Sequence, residues 1–261
     1  MICRPPTVAT AFVLASSDLL WAFRALRRPA AVAFVLLAGG CLAASVGPAA
    51  LSDDPFEQAL LRQAIETGLV FLLVPFVMAV HRFVLLGETV SSCRLWPSCP
   101  RSRLLFGWLA VMLLMLNTPL LLDALAAASA PADPAAAAAS MSGASAIVLP
   151  ASAAVFVFLQ YLVVLLPAIS VDAPGATWQN AFRDTQAPAG AGVLAAMLPV
   201  LGIALLGALP ATTGPAGAGD ALLGSLGAGA VLLVLITLSA VTSARLFQVI
   251  ADTLVKPVLR A

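Results

Sequence analysis

Six long apolar runs, Ala30–Val46, Thr67–Leu86, Leu104–Leu122, Ala146–Ile169, Gly190–Leu209 and Ala221–Val241, dominate the sequence and leave it few folds. Each approaches the ~20 apolar residues that carry a helix across the hydrocarbon layer of a bilayer. A backbone in that layer must satisfy its N–H and C=O groups internally, which runs of this length do as helices. Water suits the chain poorly: 62% of its 261 residues are hydrophobic and 10% are charged, with a mean hydropathy of +1.06. Soluble domains carry roughly 25% charged residues. The expected fold is therefore all-α: a polytopic membrane protein with six transmembrane helices, forming a single integral membrane domain over residues 1–261. Within the runs, Gly39-Gly40 and the series Gly224, Gly227 and Gly229 read as places where helices approach closely. Pro75 reads as a kink.

The basic residues decide the orientation. With the N-terminus inside, every lysine and arginine except Arg62 falls on the inner side of the runs. Basic residues near span ends mark the cytoplasmic side, so both termini are expected there. Adding or removing one span would break the alternation. Cys3, Cys93 and Cys99 then lie on a reducing side and Cys41 within a run, which argues against a disulfide framework. Asp18, Arg24, Arg27 and Arg28 fall where a secretion signal would be apolar, so no cleaved signal is read. Instead, Thr7–Arg28 places Val8, Phe12, Leu19, Phe23 and Leu26 at roughly helical spacing, with Trp21 among them. It reads as an amphipathic helix at the interface, its Trp at headgroup level and its arginines toward anionic lipid. No basic stripe interleaved with aromatics is present, and no nucleic-acid partner is expected.

Similar features recur at intervals of about 80 residues. Trp21, Trp96 and Trp178 stand before the first, third and fifth runs, and the returning runs end on Glu88, Asp172 and Asp252. Arg82 precedes Glu88 much as Arg245 precedes Asp252; the middle unit has no such arginine. This predicts three helical hairpins, each preceded by an interfacial amphipathic helix, as pseudo-repeats over 7–88, 89–172 and 173–255. Parallel units of this kind are related by an axis along the membrane normal.

The candidate site residues lie at the inner end. His81-Arg82 is followed by Val84-Leu85-Leu86, so Arg82 must snorkel or pair. Glu88, Asp172 and Asp252 are its candidate partners. His81, Arg82, Glu88, Asp172, Arg245 and Asp252 together form a candidate latch between hairpins, or a site for anionic lipid headgroups. Asn117, Gln160 and Tyr161 are the polar groups nearest mid-membrane and outline a candidate polar path. Such groups commonly serve as interhelical hydrogen bonds. One histidine with scattered cysteines makes a poor metal set, and the sequence has no nucleophile elbow, zincin motif or phosphate loop. No metal, cofactor or catalytic residue is expected.

The stretches Ala79-Val80-His81-Arg82-Phe83-Val84-Leu85-Leu86-Gly87-Glu88 and Leu165-Leu166-Pro167-Ala168-Ile169-Ser170-Val171-Asp172 resemble those of a group of uncharacterised bacterial six-span inner-membrane proteins. That group is similar to the YciC-like proteins and to the membrane domain of some glycerophosphodiester phosphodiesterases. Val80 stands where the group has Trp, and Gln186-Ala187-Pro188 interrupts the likeness of Trp178–Thr185 to its interfacial helix. The resemblance implies a bacterial inner-membrane protein and supplies no catalytic residues. The expected function is that of a scaffold or accessory in a cell-envelope process, with a membrane protein partner or a second copy as possible company. A permease for a small or lipophilic solute is the alternative, and a membrane-bound lipid-processing enzyme a weaker one.

Overall fold

The computed structural model describes residues 8–89, 99–128, 163–186 and 218–255. The fifth apolar run, most of the fourth, Trp96, and Gln160 and Tyr161 lie outside the described residues. Among the described residues every regular element is a helix: α1 (Val8–Ala25), α2 (Arg27–Leu51), α3 (Pro55–Leu86), α4 (Pro100–Ala128), α5 (Leu165–Ser170), α6 (Trp178–Thr185) and α7 (Ala218–Ile250). Three are long and apolar enough to cross a membrane: α2, α3 and residues Ala221–Ile250 of α7. Val32, Val35, Leu72, Val231 and Val234 on these helices face outward and exposed, a surface suited to hydrocarbon rather than water. The third apolar run is helical throughout, inside α4.

α1 and α2 are joined through one residue. Leu26 leaves helical geometry (φ −105°, ψ 30°), yet its N–H still donates to Ala22 O and its carbonyl still accepts from Ala30 N, each at 2.8 Å. Pro29, which has no N–H to give, follows within the first turn of α2. The predicted first helix is therefore present, and it leans on a neighbour: α1 packs along α7, with Ala15 and Ala22 in one apolar cluster with Ala240 and Val241.

The link between α2 and α3 is shorter than the polar stretch Ser52–Glu57 suggests. Asp54 caps α3, its carboxylate accepting from Phe56 N at 2.7 Å and Glu57 N at 3.4 Å, and Pro55 fills the first helical position, where its missing donor costs nothing. The Ser52 hydroxyl donates to Glu57 Oε2 at 2.6 Å. α3 then runs through Pro75 to Leu86 without interruption.

α3 is the central element. One apolar cluster on it takes in α1, α2 and α7 through Leu37, Leu73, Phe76, Val80 and Val241. The other joins Val74 to Leu105 and Met112 of α4, to α5, to Ala181 of α6 and to Phe247 of α7. Phe71 and Phe106 meet edge to face at 5.2 Å where α3 and α4 cross. Small residues set the closest approaches. A Cβ on Gly229 of α7 would stand 2.8 Å from Ala38 N of α2, and one on Gly40 would meet only the side chain of Leu69. Gly39, Gly224 and Gly227 have open space around them, so the contact falls to one glycine of each expected group.

Candidate functional site

The polar end of the bundle is built around His81. The imidazole is 1% exposed. Nδ1 lies 2.8 Å from Ser170 Oγ at the end of α5, and Nε2 lies 3.1 Å from Ser243 Oγ on α7. One ring thus bridges three helices. Each serine hydroxyl also has a backbone acceptor within reach, Leu166 O at 2.9 Å and Ala240 O at 2.9 Å. A neutral imidazole offers one donor and one acceptor. One serine therefore gives its proton to the ring, and the other keeps its backbone bond and accepts.

Arg82, the next residue, points to the chain end of its own helix. Gly87 ends α3 in the left-handed region (φ 69°), its N–H donating to Phe83 O. This turns Glu88 back so that both of its oxygens receive Arg82, Nε and Nη2 each at 2.8 Å. The remaining nitrogen, Nη1, donates to Ser170 O at 3.1 Å. His81 and Arg82 thus hold the same residue of α5, one by its side chain and the other by its carbonyl.

The other acids of the predicted latch take different partners. Asp172 pairs with Arg101 of α4. It sits at φ 55°, in a turn where Ala173 N donates to Ala168 O at 2.9 Å and Asp172 N to Ile169 O at 3.3 Å. This is a Schellman turn, in which an aspartate tolerates the left-handed position that glycine usually fills. Arg245 reaches Asp18 of α1 through Nε at 2.5 Å and Gln248 through Nη1 at 2.8 Å. The Arg245–Asp18 pair is the best shielded, with side chains 24% and 18% exposed. Asp252 gives its N–H to Asp184 Oδ2 at 2.9 Å.

Asp184, on α6, organises the far end of α7. Its buried carboxylate accepts from the N–H groups of Asp252, Thr253 and Leu254 and from the Thr253 hydroxyl. Consecutive N–H groups converging on one carboxylate form an anion nest, here filled by the protein itself. Gly175 completes the clamp: its N–H donates to Leu254 O at 3.0 Å, and a Cβ there would fall on the Thr253 and Leu254 carbonyls. Thr177 caps α6 by accepting from Asn180 N.

Asn117 is not isolated either. Its amide nitrogen donates to Gln63 Oε1 at 2.8 Å and Glu66 Oε2 at 2.6 Å, tying α4 to α3. At the start of α4 the Ser102 N–H pulls the Cys99 thiol below the usual thiol range, with Arg101 adding to it. Among the described residues no group of three or more metal-ligating side chains occurs.

Arg82 and Glu88, which stand out in the sequence, pair, and His81 and Arg82 meet at Ser170. The other partners are Asp18, Arg101, Ser243 and Asp184. Asp18 and Asp184 carried a signal, as acids in otherwise apolar or basic surroundings. The serines carried none, since a lone hydroxyl in an apolar helix usually bonds its own backbone.

The arrangement defines an all-helical protein with, among the described residues, three membrane-length helices and a polar, cross-tied end. Comparison with protein-family models, with curated proteins and with solved structures gives no match.

Proposed function

We propose that this chain is a six-span inner-membrane protein, both termini cytoplasmic, that serves as a scaffold or accessory in a cell-envelope process. The observation that carries this reading is the engagement of His81, Arg101, Asp172, Arg245 and Asp18 in holding helices together. His81 joins α3, α5 and α7; Arg101–Asp172 joins α4 to the end of α5; Arg245–Asp18 joins α7 to α1. Groups that would do chemistry in an enzyme here fix the relative positions of helices. The small-residue contact of Gly229 with Ala38 supports the same rigid reading.

The Arg245–Asp18 pair tests it. D18N and R245Q each lower the yield of folded protein in mild detergent, and the exchange D18R/R245D restores it. A scaffold needs the tie and not the identity of either side, so the exchange also restores the cell-envelope phenotype of a deletion strain. Restored folding with no restored phenotype would sink the scaffold reading. The permease reading has one observation of its own, the Gln63, Glu66 and Asn117 group between α3 and α4. Solute flux into vesicles that disappears in E66Q at normal folding would favour it.

A further inference from the structure

The arginines near the polar end fall into two groups. Arg82, Arg101 and Arg245 have carboxylate partners. Arg24, Arg27, Arg28, Arg103 and Arg183 are exposed, and among the described residues no carboxylate pairs with them; the first three lie close together along one helical stretch. Arg24 instead stands over the Trp21 ring at 5.8 Å.

Their placement is regular. At ~100° per residue, Val13, Ser17, Leu20, Trp21, Arg24, Arg27 and Arg28 share one face of the rod formed by α1 and the start of α2. Ala11, Ala15, Ala22 and Leu26, each 1% exposed, share the opposite face. The helical bonds through Leu26 keep the two faces in register across the joint. Asp18 lies off the exposed face and is spent on Arg245. The exposed face is therefore apolar along α1, with Val13 72%, Leu20 62% and Trp21 60% exposed, and purely cationic at its end.

The occupant follows from where the cations stand. Arg27 and Arg28 open α2, a helix long and apolar enough to cross a membrane, so they lie at the level where its hydrocarbon stretch meets headgroups. Guanidinium groups bind phosphate in a forked geometry, and an indole beside them suits the same depth. We propose that this face binds anionic phospholipid, with Arg24, Arg27 and Arg28 on the headgroup phosphates and the Trp21 indole beside them. The proposal goes beyond the scaffold reading and shares no residue with the ties that support it.

The test uses the full chain in a neutral detergent, with phosphatidylglycerol or phosphatidylcholine added and retained lipid counted by native mass spectrometry. Phosphatidylglycerol should be retained about tenfold or more over phosphatidylcholine, from ~1 kcal/mol per arginine near an anionic surface. The preference should shrink in about 0.5 M salt. R24Q/R27Q/R28Q should abolish it, and R62Q/R183Q should leave it. Inorganic phosphate should not be retained. Equal retention of both lipids overturns the proposal, as does a preference that survives the triple variant or is lost equally in the control. Retention that tracks dimer formation would give the face to a second copy and also overturns it. If the triple variant does not fold, the wild-type salt series decides: a preference indifferent to salt is fatal.

Discussion

At the scale of single residues, His81 is the side chain that ties α3, α5 and α7 together. Removing it deletes two buried hydrogen bonds and leaves a hole the size of an imidazole. Ser170 and Ser243 are not orphaned by this, because each can turn its hydroxyl to its own helix backbone. The cost is therefore that of the cavity and the bonds, about 2–3 kcal/mol, without a further penalty for stranded polar groups. H81A should lower the thermal midpoint in detergent, and S170A and S243A should lower it by comparable amounts, since each loses one bond and leaves a buried ring nitrogen without its partner. H81A unfolding at the wild-type temperature would show that the three helices do not depend on the ring. The importance of His81 was only half legible in the sequence. A histidine beside an arginine at a span end invites a role for its charge. What fixes its role instead is the meeting of two serines 89 and 162 positions away, and a single hydroxyl in an apolar run gives no sign of what will face it.

At the scale of elements, the helices themselves were legible because long apolar runs have one way to satisfy their backbone. Their ends were less so. α3 reaches back to Pro55 because Asp54 and Pro55 cap it, although the polar stretch Ser52–Glu57 reads as a link. The close contacts were legible as glycines but not as particular ones, since which face of a helix meets a neighbour depends on the packing of the whole bundle. This difference yields a ranking. At Gly229 an added methyl meets the Ala38 backbone at 2.8 Å, and backbone cannot move aside without shifting α2; at Gly40 it meets Leu69 side-chain carbons at 2.6 Å, which can change rotamer. G229A should therefore destabilise by about 1–3 kcal/mol, and G40A by less despite the shorter distance. Gly39 and Gly224, in open space, should accept alanine with a small gain in helix propensity. Thermal unfolding of the four variants in one detergent checks the order, and equal midpoints for G229A and G224A would refute the contact.

At the scale of the whole molecule, the ties found in the structure depart from the symmetric latch that the repeated arginine–acid pattern suggests. Arg82 closes on Glu88 of its own hairpin, whereas Arg245 reaches across to Asp18 near the start of the chain. The pattern along the chain could show that an arginine precedes an acid in both places; it could not show that α1 would lie on α7 and offer a nearer carboxylate. Orientation is a different matter, because it is governed by the distribution of arginines and not by their partners. Arg24, Arg27 and Arg28 flank the N-terminal end of α2, and the only charged residues of the turn Ser52–Asp54 at its other end are acids. If this asymmetry orients the first hairpin, reversing it should invert that hairpin in part of the population. The variant R24Q/R27Q/R28Q with three lysines inserted between Ser52 and Asp53 keeps the Asp54–Pro55 cap, gives up the Ser52 bonds to the start of α3, and reverses the charge balance. A fluorescent protein fused to its N-terminus should lose about half or more of its signal per molecule, because the fusion is exported where it cannot mature. A periplasmic reporter at the same position should gain activity in step. The glutamine changes alone should move both readouts less, since they add no positive charge to the opposite turn. An N-terminus that stays cytoplasmic in the full variant would mean that contacts with α7, and not charge, set the orientation of the first hairpin.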